Sequence, residues 1–303
     1  MTRIALEFVP PDVEDGKEKA VEEAQKVNEL SAQFGMESML DHMMIPGMIE
    51  EEEDRPVEMK PKLDPLETWQ AISPEMPGVK GMCTQVTAFM NEDQLKERFT
   101  NLTNAGINGI ILVGVPRNME DGEGTGVPPT DALADFQDYV SDRGVILIPT
   151  REGEDGRFNF KCNQGATFGM TQLLYSDAIV NFLKNFAKNH DHRPEVLLSF
   201  GFVPKAESKV GLINWLIQDP GNQVVEDEQA FVEKLTTMKL KEKQKHLLEL
   251  YKRVINGVGE LDFPMSLHFE APYGFTKPSF ETFSLLLDYW APEKPDTKTS
   301  AIS

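Results

Sequence analysis

Short apolar runs alternate with longer amphipathic runs along most of this 303-residue chain. The apolar runs have the length of strands, and the amphipathic runs repeat apolar positions at helical spacing. The segments predicted as strands are Ile4–Val9, Ser38–Ile45, Val79–Ala88, Gly109–Val115, Val145–Pro149, Thr167–Leu173, Val196–Phe202 and Met265–Glu270. The predicted helical stretches are Lys17–Gly35, Asn91–Ala105, Thr130–Val140, Ser176–Asn189, Glu228–Val258 with a break near Lys239, and Phe280–Tyr289.

This alternation predicts an α/β protein with a single (β/α)8 TIM barrel rather than an open sheet. The barrel is expected to span residues 1–292, and residues 293–303 form a polar tail that is expected to be disordered. In such barrels the active site lies at the mouth formed by the carboxyl ends of the strands. Polar side chains at those ends are therefore the candidates for chemistry.

One strand carries an ionisable group where an apolar residue is expected. Glu7 lies inside the first apolar run, which Pro10 and Pro11 end. An ionised carboxylate is costly to bury, so this residue needs either a partner or a task. It can project into the barrel mouth, face solvent, or pair with a buried Arg or Lys, and the segment alone does not choose among these.

Composition narrows the classes of function. A net charge of −20 argues against nucleic-acid binding and against an anionic membrane surface. No apolar run approaches the ~20 residues of a membrane span, and no secretory signal opens the chain, so a cytoplasmic location is expected. Cys83 and Cys162 form no disulfide framework, and the scattered histidines predict no zinc site. The oligomeric state stays open.

Two loops stand out. Glu50–Pro65 joins an acidic run to Lys60 and Lys62, and it is either a solvated loop or a lid that brings a lysine to an anionic ligand. Met119–Thr130 is rich in glycine but lacks the GxGxxG spacing of a dinucleotide-binding turn, so it is interpreted as a flexible loop at the barrel mouth.

Several segments, in order, resemble the methylenetetrahydrofolate reductase family. The first strand is similar to that family's FEFFPP, and further matches lie in one helix, one turn and three strand ends. The matching segments are Leu6–Pro11, Asp93–Leu95 with Gly106-Ile107, Lys161–Ala166, Met170–Leu173, Ser199–Pro204 and Leu267–Phe269.

The resemblance implies roles for two residues. Glu7 matches the family's general acid, which protonates N10 of 5,10-methylenetetrahydrofolate and opens a ring to a reactive iminium; a hydride then reduces the iminium to a methyl group. Gln172 matches the glutamine that hydrogen-bonds the pterin, since an amide both donates and accepts. The alternative for Gln172 is a barrel-interior amide satisfied by a neighbour.

Other positions depart from the flavin-carrying members. Those members end the fourth strand in Arg-Gly-Asp, where this chain has Val113–Pro116 without a carboxylate. Where those members have a Tyr-Pro-Glu-x-His-like run after the fifth strand, this chain has Ile148–Glu152. Their His-Leu-Thr in the third strand is replaced by Thr84–Val86, and the aspartate of their Lys-x-Asp turn is replaced by Asn163. The chain is therefore more similar to the flavin-independent members, which implies NADH or NADPH as co-substrate; FAD is not expected.

Further candidates complete the expected site. Substrate contacts are expected from Thr84, Asp41, His42, Phe202, Glu270 and Tyr273. Cofactor contacts are expected from Asn163, Arg151 and Lys60. Asp41 and His42 are predicted near the carboxyl end of the second strand, with a buried pair as the alternative.

The leading interpretation is a reductase that interconverts 5,10-methylenetetrahydrofolate and 5-methyltetrahydrofolate by direct hydride transfer. Three alternatives stay open: an FAD-dependent enzyme of the same reaction, a folate-dependent one-carbon transferase, and a non-catalytic folate-binding protein. Oxidation of NADH or NADPH separates the reductases from the other two.

Overall fold

Eight parallel strands close into a barrel in chain order, with β1 paired to both β2 and β8. The computed structural model describes residues 2–48, 56, 60–115, 124–205 and 210–290. The strands are β1 Ile4–Glu7, β2 His42–Ile45, β3 Lys80–Val86, β4 Ile107–Val113, β5 Asp142–Leu147, β6 Phe168–Thr171, β7 Glu195–Gly201 and β8 Met265–Glu270. The predicted single (β/α)8 barrel is confirmed.

Helices connect consecutive strands around the outside of the barrel. They are α1 Gly16–Gln33, α2 Pro65–Ile72, α3 Glu92–Asn104, α4 Pro129–Asp135, α5 Glu154–Asn163, α6 Ala178–Asn189, α7 Val210–Ile217, α8 Gln223–Thr237, α9 Leu240–Gly259 and α10 Lys277–Trp290. The predicted break near Lys239 is confirmed, because this residue is extended (φ −66°, ψ 152°) between α8 and α9. No helix in the described part of the chain is both long and apolar enough to cross a bilayer.

The sequence pattern missed α2, α5 and α7. Each is short, at 8, 10 and 8 residues. The residues of α7 read VGLINWLI, and a continuous apolar run of that length does not distinguish a helix from a buried strand.

Parts of the expected loops and the tail lie outside the described residues. These are residues 50–55 and 57–59 of the first loop, residues 119–123 of the second loop and the whole tail from 293 to 303, for which the expectations stay predictions. The described end of the first loop is ordered against the segment after β1, since Val13 N–H donates to Pro61 O at 2.9 Å and Leu63 N–H donates to Pro11 O at 3.0 Å.

An apolar layer fills the middle of the barrel. Its buried members are Met44, Met82, Ile111, Phe168, Met170 and Leu197. Glycine makes room for the largest of them, because a Cβ on Gly144 would lie 2.3 Å from Phe168 Cζ. This layer separates a charged floor at the amino ends of the strands from a polar mouth at their carboxyl ends.

Arg3 forms the centre of the floor. Its guanidinium lies 2.6 Å from Asp142 Oδ2 and 2.6 Å from Glu195 Oε2, and it sits 4.6 Å from the centroid of the Phe168 ring. The three side chains come from the start of β1, β5 and β7, so the ion pairs tie together strands that do not neighbour one another in the sheet.

We expect Arg3→Met to lower the free energy of unfolding by about 3 kcal/mol, because it leaves two poorly solvated carboxylates without their partner. Urea unfolding followed by circular dichroism measures this change. Lys96→Met is the matched control, since Lys96 makes only exposed pairs with Glu92 and Asp93 and its loss should change stability little. Equal effects of the two substitutions would contradict a structural role for the floor.

Candidate active site

Two glutamates end neighbouring strands at the mouth of the barrel. Glu7 is the last residue of β1 and Glu270 is the last residue of β8. The two strands are in register, with Leu6 opposite Phe269, so Glu7 comes directly beside Glu270. His268 is two residues before Glu270 and therefore points to the same side of β8. The fold brings Glu7 beside two groups that are more than 260 positions away from it in the sequence.

The contacts within this group are short. Ligand-type atoms of Glu7, His268 and Glu270 all lie within 4.8 Å of one another. His268 Nδ1 lies 3.2 Å from Glu270 Oε1 and 2.9 Å from Ser199 Oγ. Ser199 and His268 are fully buried, and Glu270 is 8% exposed.

Burial raises the pKa of Glu7 well above its ordinary value, and the neighbouring charge of Glu270 raises that pKa further. Glu7 makes no hydrogen bond or ion pair with another described side chain that would favour its charged form. A carboxyl group in such a position keeps its proton at a pH where an exposed glutamate has lost it, and it can act as a general acid.

Glu7 opens into a cleft of about 390 Å³, called here the Glu7 cleft. Its apolar wall comes from the residues after β1 and β8, including Phe8, Tyr273 and Phe275. Its rim carries charged side chains from α1 and from the loops, namely Asp12, Asp15, Lys19, Glu23, Lys26 and Lys62. The combination of an apolar wall and one embedded acid suits a flat, largely uncharged ring.

A second cleft of about 650 Å³ lies at the ends of β4 and β5. Its described lining includes three cations, Arg151, Arg157 and Lys161, and no Asp or Glu. Arg151 makes no ion pair with another described residue. The ring of Phe160 also lines it and is 51% exposed. We call it the basic cleft, and in a chain with a net charge of −20 it is a local site for an anion.

A buried carboxylate holds two cations of the basic cleft in place. Glu154 is 1% exposed and opens α5. Its Oε2 accepts from Arg157 Nε at 3.1 Å, and its Oε1 lies 3.9 Å from Lys161 Nζ. Burial lowers the pKa of Lys161. The sequence signal for this arrangement is the spacing of Glu154, Arg157 and Lys161 at i, i+3 and i+7, which places the three charges on one face of a helix.

Gln172 follows β6 directly and lies at the same mouth. Its amide Nε2 donates to the carbonyl of Leu216, near the end of α7. Tyr273 accepts from the backbone N–H of Leu212 at 3.1 Å. The apolar helix α7 is therefore bound to both sides of the mouth, and the Gln172 amide keeps a second N–H and its oxygen for other partners.

Thr84 and Phe202 contribute less directly to the mouth. Thr84 Oγ1 accepts from Gly47 N–H at 2.6 Å, so it fixes the segment after β2. Phe202 follows β7 but is buried in the core between the barrel and the helices, with Lys243 Nζ 5.8 Å from the centroid of its ring.

The structure corrects the position of Asp41 and His42. Strand β2 begins only at His42, because residues 36–40 form a turn in which Met39 and Leu40 N–H both donate to Met36 O. Asp41 Oδ1 accepts from Ile4 N–H at 2.8 Å, and His42 Nδ1 lies 2.6 Å from the same oxygen. Both residues are at the amino end of the barrel, so the pair is structural and lies away from the mouth.

Asn163 and Lys60 also lie apart from the basic cleft. Asn163 is the last residue of α5, and its Oδ1 lies 2.8 Å from Nε2 of His192, just before β7. The helices run antiparallel to the strands, so the end of α5 lies at the amino end of the barrel. Asn163 therefore lies at the opposite end of the barrel from the basic cleft, and its cofactor contact stays a prediction. Lys60 is exposed at the rim and pairs with Glu14. Arg151 is the expected cofactor residue that does line the basic cleft.

Among the described residues, Glu7, His268 and Glu270 form the group whose atoms are close enough to hold a metal ion. Two carboxylates and one imidazole are plausible ligands for a divalent cation. The same three groups can equally share protons, and the arrangement alone is compatible with either chemistry.

Comparison with solved structures shows the fold. An uncharacterized protein from Clostridium thermocellum, described as binding two copies of 5-methyl-5,6,7,8-tetrahydrofolic acid, has a TM-score of 0.66 at 16% identity, over 95% of this chain and 96% of its own. A structure from Aquifex aeolicus VF5 has a TM-score of 0.43 at 17% identity, over 78% of this chain and 92% of its own.

The sequence itself shows the family. None of the curated proteins matches the chain. The family described as mycobacterial methylenetetrahydrofolate reductase matches residues 1–294, which is nearly the whole sequence. The resemblance seen in the strand-end motifs is thus confirmed, and the chain belongs to the mycobacterial methylenetetrahydrofolate reductase family.

Proposed function

We propose that this chain reduces 5,10-methylenetetrahydrofolate to 5-methyltetrahydrofolate, taking a hydride directly from NADH or NADPH without a flavin. The observation that carries the proposal is the Glu7 carboxyl, poorly solvated and beside Glu270 at the mouth of a barrel of this family. The folate bound by the Clostridium thermocellum protein is the product of this reaction, which supports a folate ligand here.

The reaction needs one proton and one hydride. The Glu7 carboxyl donates its proton to N10, the bond from N10 to the one-carbon unit breaks with its electron pair left on N10, and an iminium forms at N5. The hydride from nicotinamide C4 then converts this iminium to the methyl group. Glu7 regains its proton from solvent, so one substrate, one NAD(P)H and one proton give 5-methyltetrahydrofolate and NAD(P)+.

The Glu7 cleft provides the folate side. Phe8, Tyr273 and Phe275 offer an apolar surface for the pterin and its neighbouring ring, next to the acid that must reach N10. The Gln172 amide projects at the same mouth and matches the polar edge of a pterin once it leaves the Leu216 carbonyl. Folate binding is then coupled to a displacement of α7.

The basic cleft provides the nicotinamide side. Arg151, Arg157 and Lys161 complement a pyrophosphate, and the exposed ring of Phe160 offers a surface for stacking. The volume of about 650 Å³ lies within the usual range for sites of this size of ligand. The two clefts lie on opposite sides of the barrel mouth, at the ends of β1 and β8 and at the ends of β4 and β5. Direct transfer therefore requires the nicotinamide to reach across the mouth to the folate.

The residues at the ends of β4 and β5 support a flavin-free reaction. Val113–Pro116 stands where flavin-carrying members have Arg-Gly-Asp, so the aspartate near the flavin is missing, and no carboxylate lines the described part of the basic cleft. A bound flavin needs positioned donors, acceptors and charges around its ring, and this lining offers few of them.

We expect purified protein, with no flavin added, to oxidise NADH or NADPH when 5,10-methylenetetrahydrofolate is present. The absorbance of the reduced nicotinamide follows the reaction. Because both ligands must be bound together, initial rates should show sequential rather than ping-pong kinetics.

Three results would contradict this expectation in different ways. Activity that arises only after FAD is added, with ping-pong kinetics, favours the FAD-dependent alternative. Folate binding without nicotinamide oxidation favours a binding protein or a one-carbon transferase. Absence of folate binding overturns the whole proposal.

The variant Glu7→Gln tests whether the Glu7 carboxyl is the general acid. The amide keeps the shape of the side chain but cannot deliver the proton, so turnover should fall by about 10²–10⁴-fold. Folate affinity, measured by fluorescence or calorimetric titration, should be largely retained. Turnover close to that of the wild type would show that Glu7 is not the general acid.

The stability of the same variant separates catalysis from structure. Because the pKa of Glu7 is raised, the folded protein binds more protons than the unfolded chain between the ordinary value of 4.5 and the raised value. The free energy of unfolding of the wild type therefore loses this contribution as pH rises through that window. Glu7→Gln should lack this loss and be at least as stable as the wild type at neutral pH.

Gln172→Ala should weaken mainly the binding of folate, whereas Arg151→Ala should weaken mainly the binding of NAD(P)H. Loss of the amide should weaken folate binding by roughly 1–3 kcal/mol, about 5- to 150-fold, with little effect on NAD(P)H. Loss of the exposed guanidinium should raise the KM for NAD(P)H by about tenfold, with little effect on folate. Initial-rate measurements with each substrate varied in turn separate the two effects.

Control variants remove an amide and a positive charge elsewhere. Gln137→Ala deletes an exposed amide on the segment after α4, and Lys184→Ala deletes an exposed charge on α6. Neither should change either KM. If both site variants weaken both ligands equally, the assignment of one cleft to each ligand is wrong.

A further inference from the structure

A negative charge lies beside the basic cleft, where the proposed ligand is also negative. Glu154 is the first residue of α5 and is 1% exposed, so its side chain is almost completely shielded from water. Burying a carboxylate costs stability unless its partners compensate for the lost hydration. Next to an anion site, the carboxylate also repels the anion. The two costs together point to a task for Glu154 in this cleft.

We propose that Glu154 is a positioning residue for the nicotinamide dinucleotide: it orients Arg157 and Lys161 for the phosphates, and this orientation outweighs the repulsion by its own charge. The inference rests on the proposed function, which assigns the basic cleft to NAD(P)H. Glu154 acts through its neighbours, because the residues of α5 that line the described part of the cleft are Arg157, Phe160 and Lys161.

Arg157 is held at two of its nitrogens. Its Nε donates to Glu154 Oε2 at 3.1 Å, and one terminal nitrogen donates to the backbone carbonyl of Glu152. A guanidinium is planar and carries its five N–H donors in a fixed fork. Once two nitrogens are bound, the direction of the remaining donors is set. The side chain is 45% exposed, so these donors stay accessible to a ligand.

Lys161 is held between the same carboxylate and β5. Its Nζ lies 3.9 Å from Glu154 Oε1 and donates to Ile146 O at 3.1 Å. Burial lowers the pKa of Lys161, whereas the charge of Glu154 raises it. The carboxylate therefore favours the charged form of this half-buried lysine, which is the form that attracts a phosphate.

The carboxylate also ties α5 to the end of β5. Glu154 Oε1 accepts from Ile148 N–H at 3.4 Å, and both Ile146 and Ile148 line the basic cleft. One buried group thus fixes two cations relative to the strand end that lines the cleft. A ligand that meets donors already held in place loses less side-chain freedom on binding, so its affinity is higher.

Neighbouring charges do not replace Glu154. Asp155, the next residue of α5, lies 2.9 Å from the imidazole of His190, which follows α6. Arg151 is the third cation of the basic cleft, and its exposed side chain makes no ion pair with another described residue. Arg151 therefore adds charge to the cleft without a fixed direction.

Two effects of opposite sign meet in Glu154, and one substitution separates them. If charge alone decides, Glu154→Gln removes a repelling charge, and NAD(P)H binds more tightly. If orientation decides, the same substitution loosens Arg157 and Lys161, and NAD(P)H binds more weakly. The amide keeps the shape of the side chain, so the main change is the loss of charge-assisted hydrogen bonding.

The test is the binding of NADH and NADPH to Glu154→Gln, followed by nicotinamide fluorescence. We expect the Kd to rise about tenfold, because two side chains must then be ordered by the ligand itself. The KM for NAD(P)H should rise by a similar factor, with kcat and the KM for folate unchanged. Glu228→Gln is the matched control, since Glu228 is a glutamate of α8 that is 5% exposed and accepts from Ser176 instead.

A double-mutant cycle distinguishes positioning from a general loss of structure. If Glu154 acts through Arg157, Glu154→Gln should weaken NAD(P)H binding by a smaller factor in an Arg157→Gln background than in the wild type. A merely structural role predicts a lower free energy of unfolding with an unchanged Kd, and that result would overturn the proposal.

Inorganic pyrophosphate is a probe that does not depend on turnover. In calorimetric titration its Kd should rise in Glu154→Gln and stay unchanged in Glu228→Gln. If NAD(P)H is never oxidised but pyrophosphate binding depends on Glu154 in this way, the proposed function fails and the positioning role stands. If turnover is found but neither ligand binds more weakly to Glu154→Gln, the positioning role is wrong and the proposed function stands.

A conservative variant covers the case in which Glu154→Gln does not fold. Glu154→Asp keeps the charge but withdraws it by one methylene from Arg157 and Lys161. Orientation predicts a Kd for NAD(P)H above that of the wild type, whereas charge alone predicts no change. Unchanged or tighter binding in either variant would show that Glu154 does not position the cations for the ligand.

Discussion

The repulsion between two carboxyl groups at the barrel mouth is the constraint around which this molecule is organised. Closing eight parallel strands brings the end of β8 beside the end of β1, and the register leaves Glu7 no position away from Glu270. Burial and the neighbouring charge of Glu270 both raise the pKa of Glu7, which favours the protonated form of its carboxyl group.

The rest of the barrel interior is filled and its charges are paired. At the opposite end, Arg3 joins Asp142 and Glu195 and satisfies charges that would otherwise destabilise the floor. Between floor and mouth, Phe168 fills space that Gly144 leaves open. The charges at the floor are thus paired, and the middle layer carries no charge. At the mouth, Glu7 and Glu270 lie side by side.

The two clefts divide the mouth by charge. The Glu7 cleft has an apolar wall with a rim of paired ions, and the basic cleft has unbalanced cations held by the buried Glu154. In a chain with a net charge of −20, an anionic ligand is repelled from most of the surface and attracted to the basic cleft. Helix α7 is bound to Gln172 and Tyr273 and lies at this mouth.

The sequence by itself determined the barrel, the order of its strands and the place of Glu7 in the first of them, because burial imposes a local periodicity and a carboxylate inside an apolar strand breaks it. It also carried the family, through motifs at strand ends. It misplaced Asp41 and His42, since a turn of five residues decides where a strand begins and shifts which end of the barrel its residues occupy.

Only the tertiary structure decided the pairings. That Glu270 faces Glu7, that His268 and Ser199 stand behind it, and that Arg157 and Lys161 share Glu154 all depend on which strands and turns become neighbours. These contacts span many residues, and their energies depend on distance and on the exclusion of water. Neither quantity is encoded in any local stretch of the chain, so the pKa of Glu7 is a property of the closed barrel.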